Sequence, residues 1–161
     1  MNIDSISSEI LTDFHKRRKL FDEFIKEKGI KFFTCPSCGY PTLNERGEYE
    51  ICSICDWEDD NQDDSDADEI SGGPNSTLSL TKSRLQIGRI LCKLEKSLKG
   101  TINLHPEEVF EILSNRNSKV KAFSGGKISM YTNRNDPIWK KYYQLKKNSL
   151  GLLIKKRKTR D

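Results

Sequence analysis

Cys35-Pro36-Ser37-Cys38-Gly39 and Cys52-Ser53-Ile54-Cys55-Asp56, with thirteen residues between Cys38 and Cys52, decide how this chain folds. Two Cys-x2-Cys pairs at such a distance put four soft thiolates where two tight turns converge on a tetrahedral ion, at about 2.3 Å per sulfur. The flanks fit that geometry. Lys31 to Thr34 reads as a short strand, Asn44 to Gly47 as a turn and Tyr49 to Ile51 as an alternating stretch, so each pair is expected at the tip of a β-hairpin. The expected cofactor is one structural Zn2+ on Cys35, Cys38, Cys52 and Cys55, with no position left for water or substrate. A rubredoxin-like iron site would use the same ligands. Intervening backbone N–H groups, such as those of Gly39 and Asp56, are expected to donate to the sulfurs.

The chain has 161 residues, of which 34% are apolar and 32% charged, so its core must be modest and a metal staple is the usual remedy. One compact unit is expected at this length. The cysteine count is odd and four of the five come in close pairs, which argues for metal-held thiolates over disulfides. Cys92 reads as a core residue of a helix. No apolar run approaches a membrane span and the N-terminus lacks a hydrophobic signal core, so a cytoplasmic protein is expected.

The formal charge of +4 conceals segregation along the chain: Asp56 to Glu69 holds nine carboxylates and no basic residue, whereas Lys140 to Arg160 is basic throughout. Around these stretches the periodicity predicts helices. Ile10, Phe14, Phe21 and Ile25, with Leu11 and Leu20 beside them, mark an amphipathic helix stopped at Gly29, with the basic run His15 to Lys19 mostly on its solvated face. Leu85, Ile90, Leu91, Leu94 and Leu98 mark a second helix, capped near Thr81 and ended by Gly100. A third runs from Pro106 to about Ser114, burying Val109, Phe110, Ile112 and Leu113. Lys127 to Tyr131 is a candidate strand. Asp136-Pro137 opens a fourth helix carrying Trp139, Tyr142 and Tyr143 as a core face, and Lys155 to Arg160 is expected to be disordered. The fold class is α+β, a small zinc ribbon of β-hairpins in a mainly helical protein. Its segments are an N-terminal helix (1–30), the ribbon with its acidic loop (31–80), a helical region (81–148) and a basic tail (149–161).

Cys35-Pro36-Ser37-Cys38-Gly39-Tyr40-Pro41-Thr42-Leu43, then Tyr49 to Cys55 with Asp56-Trp57-Glu58-Asp59-Asp60, then Gly72-Gly73-Pro74-Asn75 and Ser79-Leu80, resemble the bacterial cysteine-rich CPCC family. The likeness covers roughly the middle third of the chain. Ser37 stands where the family has an additional cysteine, and the spacing from Asn75 to Ser79 is one residue longer. The resemblance implies a small zinc-binding module, with some members similar to antitoxin-type immunity proteins.

Other constellations are weaker. Asp64, Asp66 and Asp68 fit positions 1, 3 and 5 of an EF-hand loop, but Glu69 takes the place of the required glycine and Asn75 that of the bidentate glutamate. Gly125-Gly126-Lys127 lacks the rest of a P-loop. Neither His15 nor His105 has a catalytic partner in a recognisable motif, so no enzyme is expected. Two roles follow. In the first, Trp57, Glu58, Asp59, Asp60, Asp63 and Asp64 form a partner-binding surface for a basic protein such as a toxin domain, as an immunity protein would against a nuclease. In the alternative, the ribbon positions the basic C-terminal region against nucleic acid, with no membrane partner in either case.

Overall fold

The computed structural model describes residues 4–124 and 132–157. Instead of one unit there are two, Met1–Lys93 and Leu94–Asp161, and the boundary falls inside a helix.

The first unit opens with α1 (Ser5–Lys28). The Asp4 side chain accepts the Ser7 N–H at 2.7 Å, which starts the helix, and Gly29, at φ 62°, ends it as its sequence predicted. Its buried face holds Ile10, Phe14 and Phe21, but also Ser7 and Arg17. Next, β1 (Phe33–Thr34) and β2 (Pro41–Leu43) pair antiparallel, with Phe33 opposite Leu43 and Thr34 opposite Pro41, and Ile51 bridges Glu58 across the second cysteine pair. Tyr40, Leu43 and Trp57 are buried behind these turns. The acidic run is built, not loose: a 3-10 turn at Asp64–Asp66 is closed by a capping box between Asp63 and Asp66.

Helix α2 (Leu80–Ser97) starts one residue before the expected cap, with the Ser79 hydroxyl accepting the Lys82 N–H at 3.2 Å. Its buried face is Leu80, Ser83, Arg84, Ile87, Gly88 and Leu91, which corrects the phase read from the sequence, since Ile90 is 40% exposed and Leu85 only half-buried. Gly88 allows this phase. A Cβ there would collide with Cγ2 of Ile10, so α1 and α2 can approach only over a glycine.

In the second unit, β3 (Gly100–Ile102) pairs antiparallel with β4 (Ile154–Lys156). A Cβ on Gly100 would run into the Lys155 carbonyl, so this crossing too needs glycine. Lys155 and Lys156 were expected to be disordered. They lie in β4 instead, because the 3-10 turn Leu150–Leu153 buries Leu150 and Leu153 and delivers the chain to β3. Helix α3 (Pro106–Ser124) outruns its predicted end at Ser114, since no glycine or proline interrupts it before Gly125. It buries Val109 and Leu113, leaving Phe110 and Ile112 half-buried. Helix α4 (Pro137–Ser149) begins with the Asp136 side chain accepting the Ile138 N–H at 2.9 Å. Arg116 of α3 is buried and ties down the end of α4, its Nε 2.6 Å from the Ser149 hydroxyl and its NH2 3.0 Å from the Lys146 carbonyl. None of α4's residues is buried, so its aromatics are not the core face they were expected to be.

The architecture is thus α+β: small antiparallel strand pairs among helices, with the cysteines at the hairpin turns. The strand expected at Lys127 to Tyr131 and the last residues of the tail lie outside the described residues. Among the described residues no helix is long and apolar enough to cross a membrane.

Candidate metal centre

The two cysteine turns repeat one backbone design. In the first, the Gly39 N–H donates to the Cys35 carbonyl at 2.9 Å, the Ser37 N–H to Cys35 Sγ at 3.4 Å and the Cys35 N–H to the Tyr40 carbonyl at 2.8 Å. In the second, the Asp56 N–H donates to the Cys52 carbonyl at 3.0 Å, the Ile54 N–H to Cys52 Sγ at 3.4 Å and the Cys52 N–H to the Trp57 carbonyl at 2.9 Å. The N–H groups on sulfur are therefore those of Ser37 and Ile54. Gly39 and Asp56, expected in that role, have their N–H groups on carbonyls because both residues turn left-handed, at φ 79° and 64°, and fold the chain back on itself.

The four sulfurs meet. Cys35 Sγ lies 3.7 Å from Cys55 Sγ, Cys38 Sγ lies 3.6 Å from Cys52 Sγ, and one ligand atom from each cysteine falls within 4.8 Å of all the others. A tetrahedral ion with bonds of about 2.3 Å to sulfur needs S–S edges of about 3.8 Å, so the donor set fits one metal ion. Three of the cysteines are buried and Cys55 is half-buried. Burial pushes the Cys35 and Cys38 thiols well above their ordinary range. Burial opposes ionisation at Cys52 as well, but hydrogen bonds from Cys35, Cys38, Cys55 and the Thr42 hydroxyl, 3.0 Å away, overcome it and hold that thiol well below the ordinary range.

A divalent ion on four thiolates is left with a net negative charge. Two arginines from different helices bring cations to the first turn. Arg17 of α1, 3% exposed, donates through Nε to the Cys38 carbonyl at 2.8 Å and lies over the Tyr40 ring at 5.1 Å. Arg84 of α2, 4% exposed, donates through Nε to the Pro36 carbonyl at 2.8 Å and lies over the Phe14 ring at 4.3 Å. Ser37 of the same turn meets α2 as well, its hydroxyl 2.6 Å from that of Ser83. The expectation of a solvated basic face fails for Arg17 and Arg18. Arg17 sits on the apolar stripe of Ile10, Phe14 and Phe21, and that spacing was the signal that could have placed it.

Three carboxylates of the acidic run, Asp59, Asp63 and Asp64, are paired with arginines of the same unit. Arg18 grips Asp63 with two bonds of 2.6 and 2.8 Å, Arg46 reaches the other side of Asp63 at 2.8 Å and Asp59 at 2.9 Å, and Arg84 meets Asp64 at 2.7 Å. Burial opposes the charge on Asp63, but the hydrogen bonds from Arg18 and Arg46 hold its carboxyl far below the usual carboxylate range. Asp59 is fully buried and Trp57 is 1% exposed, so neither lies on a surface that a partner can touch. Of the six residues expected to form a partner surface, those two are excluded by burial, Asp63 and Asp64 are tied to arginines, and Glu58 and Asp60 stay half-buried. Of the carboxylates that calcium would have required, Asp64 pairs with Arg84, Asp66 accepts the Asp63 N–H at 2.8 Å and Asp68 accepts the Thr81 hydroxyl at 2.6 Å.

The remaining candidates fall elsewhere. His105 caps α3, its Nδ1 accepting the Glu108 N–H at 3.4 Å, and His15 is exposed with its ring edge against Phe14. Gly125-Gly126-Lys127 lies outside the described residues.

No curated protein and no solved structure matches the chain. A family model does match, described as "Cysteine-rich CPCC" and spanning residues 33–107, from β1 through both cysteine turns and α2 to the start of α3. This segment, which contains all four candidate ligands, is what the chain shares with the cysteine-rich CPCC family.

Proposed function

We propose that the chain is a non-enzymatic protein-interaction module whose first unit is stapled by one structural zinc ion. The observation that carries this reading is the closed set of four sulfurs, which satisfies a tetrahedral ion without leaving it a position for substrate. Cys35, Cys38, Cys52 and Cys55 would hold the zinc, and bound there it supplies folding energy to a unit with a small core. A reducing cytoplasmic setting suits the thiolates. Elemental analysis should give one zinc per chain, and Cys52→Ser should lose the metal and unfold at least the first unit. Folded, metal-free protein, or iron as the native metal, would overturn the reading.

The partner we propose is a basic protein, with an immunity protein against a toxic nuclease as the specific case. Residues 1–93 carry 18 acidic against 12 basic side chains, which supports an acidic contact face. That face consists of exposed carboxylates such as Asp56, Asp68 and Glu69, with the arginine-paired ones excluded. The same charge makes the cysteine turns poor readers of phosphate. Asp56→Asn, Asp68→Asn and Glu69→Gln together should weaken protection of growth against a toxin encoded beside this chain. Full protection by that triple variant would remove the acidic face from the proposal.

A further inference from the structure

Residues 94–161 reverse the balance, with 16 basic against 6 acidic side chains, and α4 concentrates the excess. The helix contains no carboxylate after its Asp136 cap and none of its residues is buried. Trp139 and Tyr143, one turn apart, stack with ring centroids 6.0 Å apart and an interplanar angle of 24°. Tyr142 meets Tyr143 edge-on at 5.4 Å, and Lys146 Nζ lies 5.7 Å from the Tyr142 centroid. The Trp139 Nε1–H donates to the Asn133 carbonyl at 3.0 Å, which fixes the ring. Tyr143 keeps 55% of its surface open although its ring stacks on Trp139. Lys140, Lys141 and Lys147 are exposed and make no ion pair among the described residues.

An aromatic stack whose outer ring, Tyr143, is open to water, fringed by lysines with no ion pair among the described residues, is matched by a polyanion that carries flat rings of its own. We infer that the α4 face, centred on Tyr143 and Trp139, binds single-stranded nucleic acid, with bases continuing the aromatic stack and Lys140, Lys141 and Lys147 meeting phosphates. A duplex fits less well, because its bases are already stacked on each other. An anionic membrane fits less well too: the aliphatic side chains of α4, Ile138 and Leu145, are half-buried, so little remains to insert. This inference stands on the second unit alone and is independent of the partner proposed for the first.

The test uses the full, zinc-loaded chain and a labelled oligothymidylate of about 20 nucleotides. Binding should quench the fluorescence of Trp139 against the buried Trp57. Affinity should fall about 20- to 50-fold between roughly 50 and 200 mM salt, as expected for three or four phosphate contacts. Tyr143→Ala should weaken binding about tenfold, Tyr143→Phe should restore it, and the Lys140→Gln, Lys141→Gln, Lys147→Gln triple variant should flatten the salt slope. All these positions are at the surface, and an unchanged circular dichroism spectrum separates loss of contact from loss of fold. No binding in low salt, tighter binding to duplex or to phosphatidylserine vesicles, or an affinity indifferent to Tyr143→Ala would each overturn the inference.

Discussion

Asp56 occupies in the second cysteine turn the left-handed position that Gly39 occupies in the first, at φ 64° against 79°. The two residues do equal work on the backbone, each donating its N–H to the carbonyl of the first cysteine of its pair. They differ in tolerance. A Cβ on Gly39 would lie 3.3 Å from the Arg18 backbone nitrogen and 3.4 Å from the Phe14 ring, whereas Asp56 is exposed. Left-handed geometry costs a side chain about 1–2 kcal/mol, least for Asp and Asn, and crowding adds to it at Gly39 only. Gly39→Asp should therefore destabilise the first unit by about 2 kcal/mol or more, while Asp56→Gly should leave it within about 1 kcal/mol of the original. Denaturant midpoints of the metal-loaded proteins measure both, and equal losses would contradict the asymmetry.

Asp59 and Arg46 form the most enclosed ion pair of the acidic run. The carboxylate is fully buried and also accepts the Gly47 N–H at 2.8 Å and the Asn61 N–H at 3.1 Å. Removing one member of such a pair strands the other in a medium that cannot solvate it, at a cost of about 3–5 kcal/mol. Arg46→Met should approach that cost, and the double change Arg46→Met with Asp59→Asn should be less destabilised than the sum of the single ones. Strict additivity in a double-mutant cycle would mean that the pair is not coupled.

How much of this was legible in the sequence depends on what a residue pattern encodes. The ligand set was, because a Cys-x2-Cys spacing reports local turn geometry, and Gly29, Asp136 and the β-turn flanks are equally local. The buried arginines were not. Arg17 and Arg84 look like surface residues by type, and only their place on apolar stripes, Arg17 between Phe14 and Phe21 and Arg84 between Leu80 and Ile87, betrays them. Nor could sequence show that Asp63 faces Arg18, since 45 residues separate them and the contact exists only once α1 packs against the turns. Asp59, Asp63 and Asp64 therefore read as part of a display surface when their arginine partners make them an internal brace. Strand β4 was missed for a like reason, because two lysines suggest a tail until Ile154 and Leu153 are seen buried.

Asp63 gives the fold a defined acid sensitivity. Its folded carboxyl titrates well below the ordinary value of 3.8, so the stability it contributes is complete above about pH 4 and is lost as the pH falls from there toward the lowered folded value. Asp63→Asn removes that contribution. The variant should be less stable than the original by about 2–3 kcal/mol near pH 7, a figure discounted for the partial exposure of Asp63, and the gap should begin to narrow below about pH 4 and close only as the pH reaches the lowered folded value. Comparing the two proteins at each pH cancels metal loss, which acid promotes in both. A gap that persists undiminished into strong acid would show that Asp63 acts by packing and not by charge.

Gly88 and Ile10 set the distance between α1 and α2, and through it the placement of Arg17 and Arg84 on the first cysteine turn. A methyl at Gly88 would occupy the space of Cγ2 of Ile10, which is 4% exposed and has nowhere to retreat. Overpacking of this kind costs typically about 1–3 kcal/mol, so Gly88→Ala should destabilise the first unit by that amount even though alanine is the better helix former by about 1 kcal/mol. Shortening the opposing side chain supplies the missing space. Ile10→Ala alone should cost about 2–5 kcal/mol through its cavity, but combined with Gly88→Ala the loss should be smaller than the sum, because the new methyl fills part of the void. The same pair should loosen retention of the metal in proportion to stability, measured by the rate of transfer to a chelator. If Gly88→Ala left both stability and transfer unchanged, the helices would not be in contact over this glycine and the two arginines would owe their positions to something else.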